Sequence, residues 1–328
     1  MLGFSHFTLR HLKQFCLISF CLFFLNSCSS TKPVIKQDDI GVALGAITYS
    51  WRDMSWDAMD ILKFCKETGV TSVEMMGSVA EDFAGAPKLP PRLRRGVEIS
   101  PEERTQYRKN VAIAKEEQRK WRVAATMDKF IELRKIYYEA GIDIHIIKFS
   151  PARWTDEEID YAFEAAKALG AKGITNEIGM EAAERLGKFA EKHQLYAIYH
   201  NHMQPGEPGF SFDDFLAFSP MNMLNFDVGH YVGATGKHPN EIIEKYHDRI
   251  VSLHLKDKTA KGKNPENFNK PWGSGDTPIA DILQLIKKNN WPIHCDVELE
   301  YKIPEGSDSI METTKCIEFC KRALMSAS

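Results

Sequence analysis

The sequence predicts a closed (β/α)8 barrel with a helical insertion after its second strand. Three observations predict it. Eight β-rich or apolar runs of strand length are spaced along residues 45–300, and amphipathic helical segments fill the gaps between them. The third is negative: SWRDMSW (50–56), at the end of the first run, contains no glycine. An open doubly wound sheet, the competing architecture, places a Gly-rich phosphate loop there.

The elements follow in order. GAITYSW (45–51) is the first strand run, and DAMDILKFCKETG (57–69) is a helix stopped by Gly69. VTSVEMMG (70–77) is the second strand run. The connection that follows, 78–141, breaks the repeat, with a Pro- and Arg-rich stretch APKLPPRLRRG (86–96) and one or two long charged helices over 101–140. An insertion at this end of a barrel strand sits over the mouth, so it reads as a lid or substrate wall, the alternative being a solvated or oligomer-forming flap. IDIHIIKF (142–149) is the third run. TDEEIDYAFEAAKALG (155–170) has a Thr cap, acids in its first turn and a terminal glycine. KGITNEI (172–178), LYAIYHNH (195–202), MLNFDVGH (223–230), IVSLHLKD (250–257) and WPIHCDVELE (291–300) complete the eight. Helices at 180–193, 213–218, 240–249, 279–290 and about 308–327 alternate with them, the 279–290 helix opening on Pro278, whose missing N–H costs nothing in a first turn.

The start of the chain stands apart. Arg10, His11 and Lys13 precede the apolar core FCLISFCLFFL (15–25), about half the ~20 residues a bilayer-spanning helix needs. With LNSC (25–28) after it, this resembles a bacterial lipoprotein signal, which implies a lipidated Cys28 and removal of residues 1–27. Residues 28–41 then form a polar tether and 42–328 the barrel. The 301 residues that remain suit one large barrel. The full chain carries a net charge of −3, and loss of Arg10 and Lys13 takes it to −5. No basic surplus is left to neutralise phosphates, which argues against a nucleic-acid partner. Cys65, Cys295, Cys316 and Cys320 remain in the mature chain without any Cys-x-x-Cys and read as buried free thiols.

Chemistry-bearing residues collect where the last five barrel strands end. Glu177 ends the fourth, His200 and His202 the fifth, Asp227 and His230 the sixth. His254, Lys256 and Asp257 end the seventh, and Glu298 and Glu300 the eighth. Residues two apart share a strand face, so His200 and His202 point one way, as do Glu298 and Glu300. Burying such groups unpaired is costly, and a divalent ion offsets the cost. Carboxylate and imidazole ligands without thiolate suit Mn²⁺, Mg²⁺, Co²⁺ or Zn²⁺ alike.

The motifs DVGH (227–230), HLKD (254–257) and VELEY (297–301), supported by YHNH (199–202) and PWGSGDTPI (271–279), resemble the xylose isomerase-like barrel superfamily. That superfamily holds sugar isomerases, epimerases and inosose dehydratases, and is related to endonuclease IV-type barrels. The resemblance runs from about residue 42 to 326. It implies Asp227, His254 and Glu298 as metal ligands and His230 as a substrate-contacting, catalytic histidine. Where sugar epimerases carry a metal-binding glutamate on the fifth strand, this chain has His200; the inosose-dehydratase branch resembles the His-rich strand and the preceding Glu177. His200 is assigned as fourth ligand and Glu177 as the proton-abstracting base, with Glu177 as the rival for the fourth place. His202, Lys256 and Trp272 are assigned to substrate, Trp272 covering a sugar's apolar face unless Gly273 and Gly275 mark only a tight turn. Glu300 is an outer partner of the site, or replaces Glu298 if the register shifts by one pair.

The chemistry the resemblance implies is a metal-stabilised enediolate, formed when a carboxylate removes a proton beside a sugar carbonyl. Returning the proton isomerises or epimerises; expelling a β-hydroxyl dehydrates. An exported, lipid-anchored protein is expected to meet non-phosphorylated sugars or keto-sugars. A DNA-repair nuclease would also need an Asp-x-His pair after the seventh strand, and KTAKGKNPENF (258–268) has none. A sugar-binding lipoprotein without catalysis is the remaining reading.

Overall fold

The computed structural model describes residues 40–54, 57–91, 93 and 98–326. The expected signal peptide, Cys28 and all of the expected tether but residues 40–41 lie outside these residues. Eight parallel strands close into a barrel: β1 (Leu44–Ile47), β2 (Ser72–Met76), β3 (Asp143–Lys148), β4 (Gly173–Glu177), β5 (Tyr196–His200), β6 (Asn222–Asp227), β7 (Ile250–Leu255) and, after a two-stranded hairpin of β8 (Asp257–Lys258) and β9 (Asn269–Lys270), β10 (His294–Val297). Each strand pairs with the next, and β10 returns to β1. All eight expected strands are present, shorter than the apolar runs that announced them.

The helices are α1 (Ala58–Thr68), α2 (Gly77–Ala84), α3 (Pro101–Ala124), α4 (Asp128–Glu139), α5 (Asp156–Leu169), α6 (Met180–His193), α7 (Phe212–Leu216), α8 (Val228–Thr235), α9 (Asn240–Tyr246), α10 (Ile279–Asn289) and α11 (Ser309–Met325). Their ends follow local rules. The Asp57 side chain accepts the Met59 and Asp60 N–H groups at 2.8 Å to start α1, and Gly69, at φ 74°, ends it. Thr155 and Glu158 form a reciprocal capping box on α5. None of the helices among the described residues is long and apolar enough to cross a membrane. The four cysteines among the described residues, Cys65, Cys295, Cys316 and Cys320, are free and buried.

Two departures matter for the site. The DVGH run does not continue as strand: Asp227 ends β6 and caps α8, its Oδ1 accepting the His230 N–H at 2.7 Å. His230 therefore sits in a helix's first turn rather than at a strand end. A side chain at Gly229 would place Cβ 2.2 Å from Lys256 Cγ, so this glycine lets α8 lie against β7. The insertion is three helices, of which α3 buries only Ala114. Arg122 anchors it, bonding Glu81 at 2.7 and 3.1 Å and Glu158 at 3.1 Å.

Candidate metal centre and active site

The inward face of the barrel carries an unusual row of ionisable groups. Asp227 lies beside His254 in strand register and Glu177 beside His200, while His200 pairs with Asn225, so the stagger of the barrel sets the second pair two residues below the first. Glu298 follows β10 directly and its N–H bonds to the Leu255 carbonyl. One ligand atom from each of His200, Asp227, His254 and Glu298 lies within 4.8 Å of the others, and all four residues are buried. The His254 Nδ1 to Glu298 Oε2 distance is 2.7 Å, and Asp227 Oδ2 lies 4.0 Å from His254 Nδ1 and 3.9 Å from His200 Nε2.

These residues fit a divalent ion. His200 Nδ1, Asp227 Oδ2, His254 Nδ1 and Glu298 Oε2 are all buried without a well-aligned hydrogen bond. Native structures leave few such atoms unsatisfied. The charges agree. Five carboxylates (Glu74, Glu177, Asp227, Glu298, Glu300) face Lys148, Lys256 and, when protonated, His254. Burial raises the Asp227 pKa, with the Glu298 charge adding to it and Lys256 opposing. Burial also works against charge on His254, but Glu298 and Glu74 outweigh it and raise the imidazole well above its ordinary range. Burial, with Lys148 and His254 nearby, pushes His200 well below the usual histidine value, which leaves a neutral imidazole suited to ligation.

Sequence reasoning missed Glu74. It is fully buried on β2, and its Oε2 lies 2.5 Å from His254 Nε2, opposite the ring nitrogen that faces Asp227 and Glu298. Thr175 and Asn225 donate to the same carboxylate at 2.7 and 2.8 Å. Burial would raise its pKa, but His254 holds it down at about 2. A carboxylate behind a ligating histidine fixes ring orientation and tautomer and makes the histidine a stronger donor. The only signal was one acid inside the apolar run VTSVEMMG.

Lys256 sits within the cluster rather than at its rim. It is 2% exposed, with Nζ 2.9 Å from Asp227 Oδ2, 2.7 Å from Glu298 Oε2 and 2.8 Å from Glu300 Oε2. Glu300 thus touches the site through Lys256, and Glu298 remains the residue in the ligand cluster. Glu177 occupies the opposite, accessible edge. Its side chain is 42% exposed, with Oε1 2.8 Å from Lys148 Nζ and Oε2 3.5 Å from the exposed His202. Glu177, His200 and His202 form a second group whose ligand atoms lie within 4.8 Å. Lys148, at the end of β3, was also missed. His230 Nε2 lies 4.0 Å from both Asp227 and Glu300; burial, then Lys256 and Lys258, lower its pKa to about 2.

The Trp272 ring packs edge-on against Phe319 of α11 with centroids 6.0 Å apart. Its glycine-bearing loop is organised by Asp257, whose carboxylate accepts N–H bonds from Gly273 at 2.8 Å, Gly275 at 2.9 Å and Thr277 at 3.2 Å. A Cβ at Gly275 would fall 2.2 Å from that carboxylate, so close approach explains the glycine.

A closed parallel barrel with a buried His/Asp/Glu cluster at its C-terminal mouth defines the class: a (β/α)8 protein built around a candidate divalent-metal centre. The chain belongs to the xylose isomerase-like TIM barrel family, whose profile matches residues 60–318. It is 29% identical over 133 residues to an inosose dehydratase of Clostridium botulinum (strain Eklund 17B / Type B), a match covering 35% of this chain and 44% of that protein. An inosose dehydratase of Bacillus thuringiensis (strain Al Hakam) is 27% identical over 135 residues, covering 40% and 44%. The chain therefore spans under half the length of the curated relatives it matches. Among solved structures, a sugar phosphate isomerase/epimerase from Parabacteroides distasonis is 17% identical, covers 90% of this chain and 98% of its own, and superposes with a TM-score of 0.57. A probable 3-DHS dehydratase from Bacillus anthracis is 13% identical, with 84% and 99% coverage and a TM-score of 0.55. These two likenesses are likenesses of fold.

Proposed function

We propose that this protein is a divalent-metal-dependent enzyme that isomerises or epimerises a small, non-phosphorylated sugar or keto-sugar by moving a proton beside its carbonyl. The observation that carries the reading is the convergence of four buried ligand residues next to an accessible carboxylate. His200, Asp227, His254 and Glu298 hold the ion. When bound, it supplies Lewis-acid stabilisation of negative charge on the substrate's oxygens. Glu177 takes the proton, since it is the carboxylate at the open edge, and the Lys148 ammonium 2.8 Å away keeps it oriented. His202, within 3.5 Å of Glu177, and the neutral His230 are placed to hold substrate hydroxyls or pass a proton on.

A second reading is dehydration or hydration at the same site, favoured by the inosose-dehydratase relatives and by a histidine rather than a glutamate on β5. It uses the same proton abstraction, followed by loss of a β-hydroxyl. The apolar run at 15–25 with Cys28 supports export and a lipid anchor as part of this proposal.

Incubating metal-loaded protein in D₂O with ketoses and 3-keto-glycosides tests both readings. Solvent deuterium should enter at one carbon, and product mass separates an isomer from a dehydrated species. Glu177→Gln should keep metal and lose roughly 10²- to 10⁴-fold in turnover, the usual worth of a placed acid–base group. Undiminished exchange in that variant would remove Glu177 from the chemistry.

A further inference from the structure

One cavity opens beside Glu177, and a second shares two of its lining residues. The first, about 440 Å³, lies between the segments that follow β3 and β4 and is lined by Ser150, Arg153, Trp154, Asn176, Glu177 and Met180, among others. The second, about 650 Å³, borders the same Arg153 and Trp154 and is lined by Lys115, Gln118 and Arg119 of α3 in the insertion. Each falls within the range of small-ligand sites, roughly 300–1,000 Å³. Arg153 and Trp154 border both.

The walls are braced. The Asn176 side chain accepts the Ala152 N–H at 3.1 Å, and Arg185 donates to the Ala152 carbonyl at 2.7 Å. The Arg122 guanidinium lies 3.7 Å over the Trp154 ring while its other bonds reach Glu81 and Glu158, which joins α3 to the β3–α5 segment. Gln118 ties α3 to the Pro87 carbonyl at 2.9 Å. Arg119 is occupied by Glu116. Arg153 and Lys115 form no ion pair among the described residues. What remains along the two cavities is the Trp154 indole, the Arg153 and Lys115 cations and the Glu181 carboxylate, a mix of apolar face, donors and acceptor that suits the hydroxyl and acetal oxygens of a carbohydrate.

We propose that these cavities form a second sugar subsite: the substrate has two linked units, with the reacting ring over the ligand cluster and the second ring running along Trp154 and Arg153 to the α3 wall. The proposal rests on the sugar reading of the site and adds the size of the substrate. It also gives the insertion a task, since α3 supplies a wall that the barrel strands do not. Binding energy gathered on a remote ring holds the reacting carbon at Glu177.

The test measures affinity without turnover. Metal-loaded protein is titrated with glucose against cellobiose and maltose, galactose against lactose, and mannose against β-1,4-mannobiose, by calorimetry and saturation-transfer NMR. At least one disaccharide should bind about tenfold or more tightly than its monosaccharide, worth about 1.4 kcal/mol. That advantage should fall by at least about fivefold in Arg153→Ala and vanish in Arg153→Ala/Lys115→Ala, while monosaccharide affinity stays unchanged. Both residues are exposed, so folding should be unaffected. Equal affinities within every pair, or an advantage that survives the double variant, would overturn the subsite and leave the monosaccharide reading standing. Binding of no sugar at all would remove both.

Discussion

Two groups of polar side chains lie inside the same barrel, stepping by two residues from Ser72 to Glu74 on β2, from Ser252 to His254 on β7 and from Asp296 to Glu298 at β10, and they are built for different ends. The lower layer holds Ser72, His145, Ser252 and Asp296, all buried, with the half-buried His294; the upper holds Glu74, Asp227, His254, Lys256 and Glu298. In the lower layer one carboxylate meets one imidazole. Asp296 Oδ2 lies 2.9 Å from His145 Nε2 and accepts the Ser252 hydroxyl at 2.6 Å, and His294 stacks on His145 at 4.0 Å. Gly45 leaves the space that Asp296 fills, since a Cβ there would lie 2.2 Å from its Oδ1. The upper layer has more acid than base, and its Asp227, His254 and Glu298 converge with His200 of β5. A buried charge is therefore weak evidence of function by itself. An excess of one sign, with ligand atoms converging, is what a candidate cation site requires.

The largest expected effect tests that distinction directly. Asp227→Ala, His254→Ala and Glu298→Ala should each lose bound divalent metal and, with it, on the order of 10²- to 10³-fold or more in turnover, as when a principal electrostatic stabiliser is removed. Asp296→Asn, one layer down, should keep its metal. Elemental analysis of the purified variants decides the matter: full occupancy in all three upper-layer variants would erase the difference between the layers.

How far this contrast could be read from the sequence depends on which half of the barrel a residue occupies. Asp227, His254 and Glu298 were legible because each follows an apolar run at the place where a parallel barrel opens. Glu74 was not, although it touches His254, because 180 residues separate them and only closure of the barrel brings β2 across to β7. Lys148 was hidden in the same way inside IDIHIIKF. His230 was placed on the right motif but the wrong element, because VGHYVGAT is rich enough in β-branched and aromatic residues to read as strand while Asp227 in fact caps a helix. The packing of Trp272 against Phe319 of α11 is a tertiary contact that local pattern does not encode.

A middle-sized effect concerns Glu74, which belongs to the upper layer without being one of its ligands. Glu74→Gln keeps the shape and the Thr175 bond but removes the charge behind His254. Metal affinity should weaken by roughly 10- to 100-fold, the usual cost of altering a ligand's outer partner. Competition against a chelating dye measures it, with circular dichroism confirming the fold. An unchanged dissociation constant would reduce Glu74 to a packing role.

The smallest effect belongs to the lower layer and is a matter of stability. Burial, with His145 and Lys172 nearby and Asp296 opposing, lowers the His294 pKa to about 2, and its Nδ1 lies 3.2 Å from the Ser72 hydroxyl. In the unfolded chain an ordinary histidine titrates near 6.5. Above that value neither state carries the proton, so His294 contributes no pH dependence. Below it the unfolded state binds a proton that the folded state excludes, and stability falls as pH falls. The slope approaches about 1.4 kcal/mol per pH unit, with a loss of about 1 to 1.5 kcal/mol by pH 5.5. His230 and His200 add slopes of the same sign from the upper layer, so the contribution of His294 appears as a difference between proteins. Denaturant unfolding of the wild type and of His294→Asn at pH 7.5 and 5.5 should show the variant losing less stability by about that amount. Parallel losses in the two would mean that His294 takes up its proton in the folded state, and the lower layer would then be a titrating cluster rather than a closed one.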